Sequence, residues 1–307
     1  MLRVKLLGTI DAVWNALRAL ETFAQMEDEK SRMTSSQRRA RIAVLWLLLT
    51  LPSGAPVQAA QGEYVPKSGQ PGKDIVWVPT PAVMVDKLLD MAAITSQDYV
   101  VDLGSGDGRN VIAAAKRGAR AHGIEYDADL VALSKRQAAK EGVADKATFE
   151  QADLFVADFS KATVIILFLT PEMNIRLRPK LLDLKPGARI VANSFAIGDW
   201  NADRTSVVTA NCERWCTARL WIVPARVAGR WRLPQGELVL KQTYQTFSGT
   251  MIGPKGSAPL VGRLRGENIF FAAGKTRFTG RVDGDLIKGF ARESGKDSEF
   301  RAKRIGN

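Results

Sequence analysis

The chain has 307 residues, of which 46% are hydrophobic and 25% are charged, so it is long and apolar enough for one large or two modest packed domains. Its single histidine, His122, argues against mechanisms that need a histidine base, a Ser-His triad or a histidine metal site. The net charge of +12 is dispersed, without a strip of basic and aromatic residues. This pattern indicates a solvated basic surface, and no nucleic-acid partner is expected.

Residues 1–59 have the pattern of a leader. Met33 precedes an arginine-rich stretch, an apolar run over 42–51 and small residues at the two positions that a signal peptidase recognises. The sequence predicts a signal peptide cleaved after Ala59, and hence export to the periplasm or the medium. Met33 is the expected start, with 1–32 an upstream over-extension. An uncleaved leader would instead anchor the protein to a membrane.

Residues 60–80 are predicted as a linker, rich in glycine, proline and polar residues, and a short segment that leads to the first helix. Pro81 suits the first turn of that helix, and Thr80 suits its N-cap. The segment comes just before the first predicted strand, so it is able to fold over a ligand bound at the end of that strand. A plain helix start explains the same pattern equally well.

The most informative stretch is an apolar strand that stops at three alternating glycines and is followed by an alanine-rich helix, with the glycines at Gly104, Gly106 and Gly108. A dinucleotide fingerprint would need a glycine where Arg109 stands. Asp102 lies just before the glycines, and a carboxylate there suits a cationic amine and repels a pyrophosphate. The pattern therefore predicts S-adenosylmethionine, which has an amine and no phosphate.

Two further carboxylates complete the predicted cofactor site. Glu125 ends the second strand, roughly 20 residues on, where it can accept hydrogen bonds from ribose hydroxyls. Asp153 follows the third strand, where it can accept from the adenine amino group while Leu154 covers the ring. The predicted cofactor-binding residues are Thr80, Asp102, Gly104, Ser105, Gly106, Gly108, Glu125, Tyr126, Asp153 and Leu154.

From Ser96 the chain alternates strand and helix, which predicts a mostly parallel sheet with helices on both faces. Strands are predicted at 98–103, 119–125, 147–151, 163–169 and 187–194, and helices at 110–117, 128–141 and 172–183. The loop after the fourth strand faces the methyl acceptor, because ligands bind at the carboxyl ends of such strands. Thr170 and Glu172 are the candidate catalytic residues there, although Glu172 equally suits a partner of the helix dipole.

Two more strands, 205–210 and 215–223, are predicted to form an antiparallel hairpin at the edge of the sheet. Cys212 and Cys216 flank its turn. In an exported protein they can form a disulfide if the turn is tight, since an extended strand would hold them too far apart. A metal site at these two thiols lacks further ligands, so no metal is expected.

Residues 225–307 show short alternating apolar runs between turn signals and no helical periodicity. They predict a small, antiparallel β-rich domain, either a sandwich-like lid or a half-barrel on the edge of the sheet. The domain has no catalytic constellation. A role in docking a partner and a purely structural role are equally open.

Three stretches together resemble a known family: Val76–Pro81, Val101–Ala115 and Gly123–Glu125. They are similar to class I, seven-strand methyltransferases, and most of all to the small mitochondrial-type protein lysine methyltransferases. The resemblance covers about residues 74–200. It implies an α/β fold with a Rossmann-like seven-strand sheet, binding of S-adenosylmethionine, and protein lysine as an acceptor class. With the edge hairpin included, the methyltransferase domain is predicted over 81–224.

The sequence therefore predicts an S-adenosylmethionine-dependent methyltransferase, with protein lysine as the first acceptor to test. Methyl transfer from a sulfonium needs mainly alignment and exclusion of water, so it is compatible with the lack of a histidine base. Two other functions stay open. One is an exported, non-catalytic module that binds an adenosyl ligand or a protein, and the other is a small-molecule methyltransferase.

Overall fold

The described part of the chain, residues 64–254 and 256–306 of a computed structural model, folds into a β-sheet with flanking helices and a β-barrel. The predicted leader, its cleavage site and the start at Met33 lie outside the described residues. The elements of the first part are α1 Ala82–Ala92, β1 Tyr99–Leu103, α2 Arg109–Lys116, β2 Arg120–Glu125, α3 Ala128–Lys140, β3 Ala147–Gln151, β4 Val164–Leu167, α4 Pro171–Leu182, β5 Arg189–Asn193, β6 Arg204–Val207 and β7 Thr217–Ile222.

The seven strands form one sheet in the order β3-β2-β1-β4-β5-β7-β6. The first five are parallel, and β7 runs antiparallel to both β5 and β6. This topology confirms the predicted Rossmann-like seven-strand sheet and the hairpin at its edge. The order changes direction at β1, so the carboxyl ends of β1 and β4 meet at the point where such sheets bind ligands.

Two apolar cores cover the two faces of the sheet. Buried residues of α1, α2 and α3 pack on one face, and α4 packs on the other together with Trp200 and Trp221. Strand β4 is buried along its whole length, as its continuous apolar sequence predicted. Among the described helices, none is both long and apolar enough to cross a membrane.

Helix α1 starts differently from the prediction. Pro81 occupies its N-cap position, and no side chain caps the helix. Thr80 is buried, and its carbonyl oxygen accepts a hydrogen bond from Arg109 Nη1 at 2.8 Å. Thr80 therefore connects this segment to the glycine loop instead of capping the helix.

The barrel consists of eight antiparallel strands: β8 Gly229–Leu233, β9 Gly236–Thr243, β10 Thr246–Gly253, β11 Gly256–Arg265, β12 Asn268–Ala273, β13 Thr276–Asp283, β14 Leu286–Glu293 and β15 Lys296–Gly306. Each strand pairs with the next, and β15 pairs with β8, so the barrel is closed. The prediction of an antiparallel β-rich domain is therefore confirmed, but the prediction of a half-barrel or a sandwich-like lid is wrong, because the barrel is closed. Packed phenylalanines fill the interior, as is usual for eight strands, with the Phe271 and Phe278 rings stacked at 4.4 Å.

Gln245, in the turn between β9 and β10, joins the barrel to the sheet domain. Its buried side chain accepts a hydrogen bond from Trp200 Nε1 at 2.9 Å and donates one to the carbonyl of Asn201 at 2.7 Å. The neighbouring Tyr244 stacks on the indole of Trp200 with ring centroids 5.8 Å apart. The two parts are thus held by buried polar and aromatic contacts as well as by the chain.

Replacing Gln245 by leucine should lower the free energy of unfolding by about 1–3 kcal/mol, because the buried Trp200 N–H and Asn201 carbonyl would lose their partner. Calorimetry would measure the change as a lower Tm. The exposed Gln235, in the turn between β8 and β9, provides the matched control, and its leucine variant should keep the wild-type Tm. An unchanged Tm in Gln245→Leu would show that this contact does not stabilise the joint.

Candidate active site

A cavity of about 280 Å³ lies at the carboxyl ends of the parallel strands. Each of the first five strands contributes a residue at or just after its end, namely Gly104, Glu125, Ala152, Phe168 and Phe195 in strand order. The segment 70–78 covers the cavity from the N-terminal side, as the sequence allowed. Residues 70–73, expected as part of a linker, belong to this cover.

The glycine loop after β1 has a conformation and a close packing that residues with a side chain could not adopt. Gly104, Gly106 and Gly108 all have positive φ, at 79°, 56° and 81°. A Cβ at Gly108 would lie 2.7 Å from the Phe149 ring and 2.8 Å from Ser134 Cβ, and a Cβ at Gly106 would collide with the indole of Trp77. The glycines thus allow α3, β3 and the covering segment to pack closely on the loop.

Asp102 lies beneath this loop and is only 1% exposed. Its Oδ2 accepts a hydrogen bond from Asn110 Nδ2 at 3.1 Å. Burial is the main reason that the pKa of Asp102 is raised to about 8, and the nearby charge of Glu125 contributes. Two buried oxygens close to it in sequence, Ser105 Oγ and Asn110 Oδ1, have no hydrogen-bond partner within the described residues.

These groups fit the amine end of S-adenosylmethionine. A buried carboxyl with a raised pKa favours a cationic neighbour, and buried acceptors without partners favour a ligand that brings hydrogen-bond donors. Asp102 would therefore face the ammonium group of the cofactor. Of the predicted cofactor-binding residues, Thr80, Asp102, Ser105, Gly106 and Gly108 are not among the residues that line the cavity.

Glu125 links the glycine loop to the end of β2. Its Oε2 accepts from Gly106 N at 2.8 Å, and its Oε1 accepts from the backbone N–H groups of Tyr126 at 2.8 Å and Asp127 at 3.0 Å. A carboxylate oxygen can accept two hydrogen bonds, so Oε2 can still accept one from a ribose hydroxyl. The predicted position of Glu125 at the cavity is thus matched by the geometry.

Asp153 and Leu154 line the cavity after β3, next to Tyr126. Asp153 accepts a hydrogen bond from Phe155 N at 2.8 Å and forms an ion pair with Lys73 at 2.7 Å. The Lys73 ammonium holds the pKa of Asp153 below its usual value and also lies 4.7 Å from the centre of the Tyr126 ring. Lys73 therefore ties the covering segment to the predicted adenine end of the site.

The covering segment has a second attachment at the glycine loop. Gly69 N donates to Trp77 O at 2.8 Å and Trp77 N donates to Gln70 O at 2.9 Å, which folds the segment into a tight loop. Arg109 binds Asp107 through both carboxylate oxygens and donates to Thr80 O. Arg109, which distinguishes this motif from a dinucleotide fingerprint, thus connects the glycine loop to Thr80, two residues after the covering segment.

The two candidate catalytic residues occupy different positions. Thr170 lines the cavity, and its hydroxyl accepts from Met173 N at 3.4 Å as the N-cap of α4. Glu172 is exposed in the first turn of α4 and does not line the cavity, a position that suits an interaction with the helix dipole.

The aromatic side of the cavity is formed by Trp77, Phe168, Phe195 and Trp215, none of which is among the predicted site residues, although the sequence places Phe195 on the ligand side and Trp77 in the segment able to fold over the ligand. Phe168 directly follows β4, and Phe195 lies two residues after the end of β5. The rule that ligands bind at the carboxyl ends of parallel strands, which located Asp153, therefore applies equally to these two residues. Trp215 comes from the turn between β6 and β7. It carries no sequence signal of its own. It precedes Cys216, which forms a disulfide with Cys212, and the Cα atoms of the two cysteines lie 5.8 Å apart. This disulfide confirms the prediction that the two cysteines can pair if the turn between them is tight.

Replacing Asp102 by asparagine should stabilise the ligand-free protein, and the gain should grow as the pH rises. The unfolded chain releases this proton near the usual pKa of 3.8, whereas the folded protein keeps it up to about 8. Wild type therefore loses stability from this group across that interval, and the asparagine variant does not. The Tm of the variant should exceed that of wild type by several degrees at about pH 8 and by less at about pH 5.

The exposed carboxylate Asp129 provides the control, since its asparagine variant removes the same charge without affecting a buried group. A Tm difference between Asp102→Asn and wild type that stays constant over this pH range would contradict the raised pKa.

Comparison with known proteins gives consistent matches to methyltransferases. The family model of the ANTKMT methyltransferase domain matches residues 102–204, which include the end of β1, the glycine loop and the strands β2 to β5. A protein-lysine N-methyltransferase of Saccharolobus islandicus is 38% identical over 130 residues, which cover 41% of this chain and 81% of that protein. The adenine nucleotide translocase lysine N-methyltransferase of Mus musculus is 36% identical over 103 residues, 33% of this chain and 45% of that protein.

Among solved structures, an RNA methyltransferase from Salinibacter ruber in complex with S-adenosyl-L-homocysteine is 44% identical, with a TM-score of 0.46. The match covers 49% of this chain and 96% of that one. The chain spans most of the archaeal relative but less than half of the mouse enzyme. With the seven-strand sheet, the glycine loop and the identity to the archaeal enzyme established, the chain belongs to the class I, S-adenosylmethionine-dependent methyltransferases, in the family that includes the protein-lysine N-methyltransferases.

Proposed function

We propose that this methyltransferase transfers the methyl group of S-adenosylmethionine to the side-chain amine of a lysine in a protein. The observation that carries this proposal is the charge of the cavity. Its lining includes four carboxylates, Asp74, Glu125, Asp127 and Asp153, and one ammonium, Lys73. In a chain with a net charge of +12, this local excess of negative charge favours a cationic acceptor and disfavours the phosphates of a nucleic acid.

The protein's part in the reaction is to bind the cofactor and the acceptor, to align their reacting atoms and to limit the access of water to them. The cofactor supplies an electrophilic methyl group on a sulfonium. Asp102 would hold its ammonium, Glu125 its ribose, and Asp153 with Leu154 its adenine. The covering segment 70–78 lines one side of the cavity, where it would limit the access of water, strengthen these interactions and fix the alignment.

The acceptor nitrogen must be neutral to react. The aliphatic side chains of Leu169 and Met173 favour the uncharged amine, because burial against apolar groups lowers the pKa of an ammonium group. The lysine would release one proton to solvent before its nitrogen enters the cavity. The nitrogen lone pair would then form the new N–C bond while the S–C bond breaks and its electrons stay on sulfur. The methylated nitrogen then loses or keeps its next proton according to the pH.

The proposal predicts that protein in a cell-envelope extract gains label from S-adenosylmethionine labelled in its methyl group, and that hydrolysis of the labelled protein yields methyllysine. Replacing Asp102 by alanine should reduce the rate at least about 100-fold through lost cofactor binding, as titration calorimetry would show. Asp129→Ala should have the wild-type rate. Label found only in soluble metabolites would instead support a small-molecule acceptor, and cofactor binding without any transfer would support the non-catalytic module.

We also propose that the protein acts outside the cytosol, either free after cleavage of the leader or held at a membrane by it. The leader pattern over 33–59 supports this, and so does the Cys212–Cys216 disulfide, because disulfides persist mainly in oxidising compartments.

N-terminal sequencing of the protein from fractionated cells should find Ala60 as the first residue in the periplasm or medium. An intact leader in the membrane fraction would support anchoring, and recovery of the unprocessed protein from the cytosol would contradict export. A Cys212→Ser/Cys216→Ser variant should keep the same location, because the leader and not the disulfide directs export.

A further inference from the structure

Phe168, Phe195 and Trp215 form an aromatic wall on one side of the cavity. The Phe168 ring stacks with Phe195 at a centroid distance of 6.3 Å and an interplanar angle of 17°, and meets Trp215 edge-on at 5.8 Å. All three side chains are half-buried. Their rings therefore contact one another and still face the cavity.

The aromatic wall lies away from the predicted adenine end. In the strand order β3-β2-β1-β4-β5-β7-β6, Glu125 and Asp153 belong to β2 and the end of β3, whereas the aromatic wall belongs to the ends of β4 and β5 and to the turn before β7. The glycine loop after β1 lies between them. A ligand that spans the loop from the adenine end would thus present its reactive end toward the aromatic wall.

No arginine or lysine of the described residues stacks on these three rings. The cation–π pairs of the structure involve other rings, such as Tyr126 with Lys73 and Phe155 with Arg176. An aromatic face attracts a cation because its π electrons are negative relative to the ring edge. The aromatic wall is therefore able to bind a cation that comes from outside the chain.

Trp215 is held in place by a covalent constraint. Its φ is 56°, a left-handed conformation that a non-glycine residue adopts only where its surroundings enforce it. The adjacent Cys216 is bonded to Cys212, and Val208 N donates to Cys216 O at 2.8 Å. The disulfide and the β6–β7 pairing together fix the turn that places the indole against Phe168.

On the basis of the proposed function, we propose that Phe168, Phe195 and Trp215 form the acceptor subsite, which binds the alkylammonium side chain of a lysine, and that the Cys212–Cys216 disulfide positions Trp215 in it. The aromatic surface suits an aliphatic chain with a terminal cation, because the rings can contact the methylene groups and their π faces can attract the charge. The carboxylates of the same cavity add a long-range attraction for that cation.

The binding test uses n-butylammonium as a probe of the lysine side chain, with the neutral n-pentanol for comparison, on the full protein saturated with S-adenosylhomocysteine. Ligand-observed NMR should show n-butylammonium binding about tenfold more tightly than n-pentanol. Trp215→Ala should lose this preference, and Trp215→Phe should retain most of it, since a ring remains. Equal binding of the two probes by wild type would overturn the subsite.

The kinetic test uses the methyllysine assay on the same variants. Trp215→Ala should raise KM for the protein acceptor about tenfold with an unchanged Kd for S-adenosylmethionine, and Trp215→Phe should largely restore KM. Phe290→Ala, which removes an exposed ring on the barrel, should keep wild-type KM. An unchanged KM in Trp215→Ala, with wild-type binding of the cofactor, would overturn the role of Trp215.

Cys212→Ser/Cys216→Ser tests the positioning role. It should raise KM in the same direction as Trp215→Ala while Tm and cofactor binding confirm a folded sheet domain. A wild-type KM in this variant would overturn the role of the disulfide. If n-butylammonium bound as expected but no protein lysine were methylated, the proposed function would fail while the alkylammonium subsite stood.

Discussion

A carboxyl group buried at the end of a central strand is the constraint on which this structure depends. Asp102 lies beneath the glycine loop, and burial raises its pKa to about 8. Burial of this carboxyl lowers the free energy of unfolding in the absence of a ligand. The packing of the surrounding sheet and helices must offset that loss. The three glycines, the hydrogen bond from Asn110 and the ties of Glu125 and Arg109 all keep the backbone in the conformation that this burial requires.

The cavity has two chemically different ends because the strands that form it lie on either side of β1. Carboxylates line the cavity at the ends of β2 and β3, and aromatic rings line it at β4, β5 and the β6–β7 turn. A cationic amine that reaches this surface is attracted by the carboxylates and by the π faces of the rings. Both effects favour a lysine side chain over an anionic acceptor.

The barrel extends the sheet domain without adding to the cavity lining. The cavity residues end at Trp215, and the barrel begins at Gly229. It is joined to the sheet domain through Gln245 and Tyr244, which contact Trp200. The family match over 102–204 ends before the barrel, so the barrel is an addition to the catalytic unit in this chain.

The sequence by itself determined the seven-strand sheet, the cofactor and most of the polar end of the site, because each of these depends on local patterns: apolar runs, alternating glycines, and carboxylates at strand ends such as Glu125 and Asp153. Only the tertiary structure decided the closure of the barrel, since the pairing of Lys303 with Arg232 joins strands far apart in the chain. The same holds for the contacts of Lys73 with Asp153 and of Trp215 with Phe168. These side chains come from irregular segments, where no periodicity shows which way a residue points, so their positions follow from the packing of the whole chain.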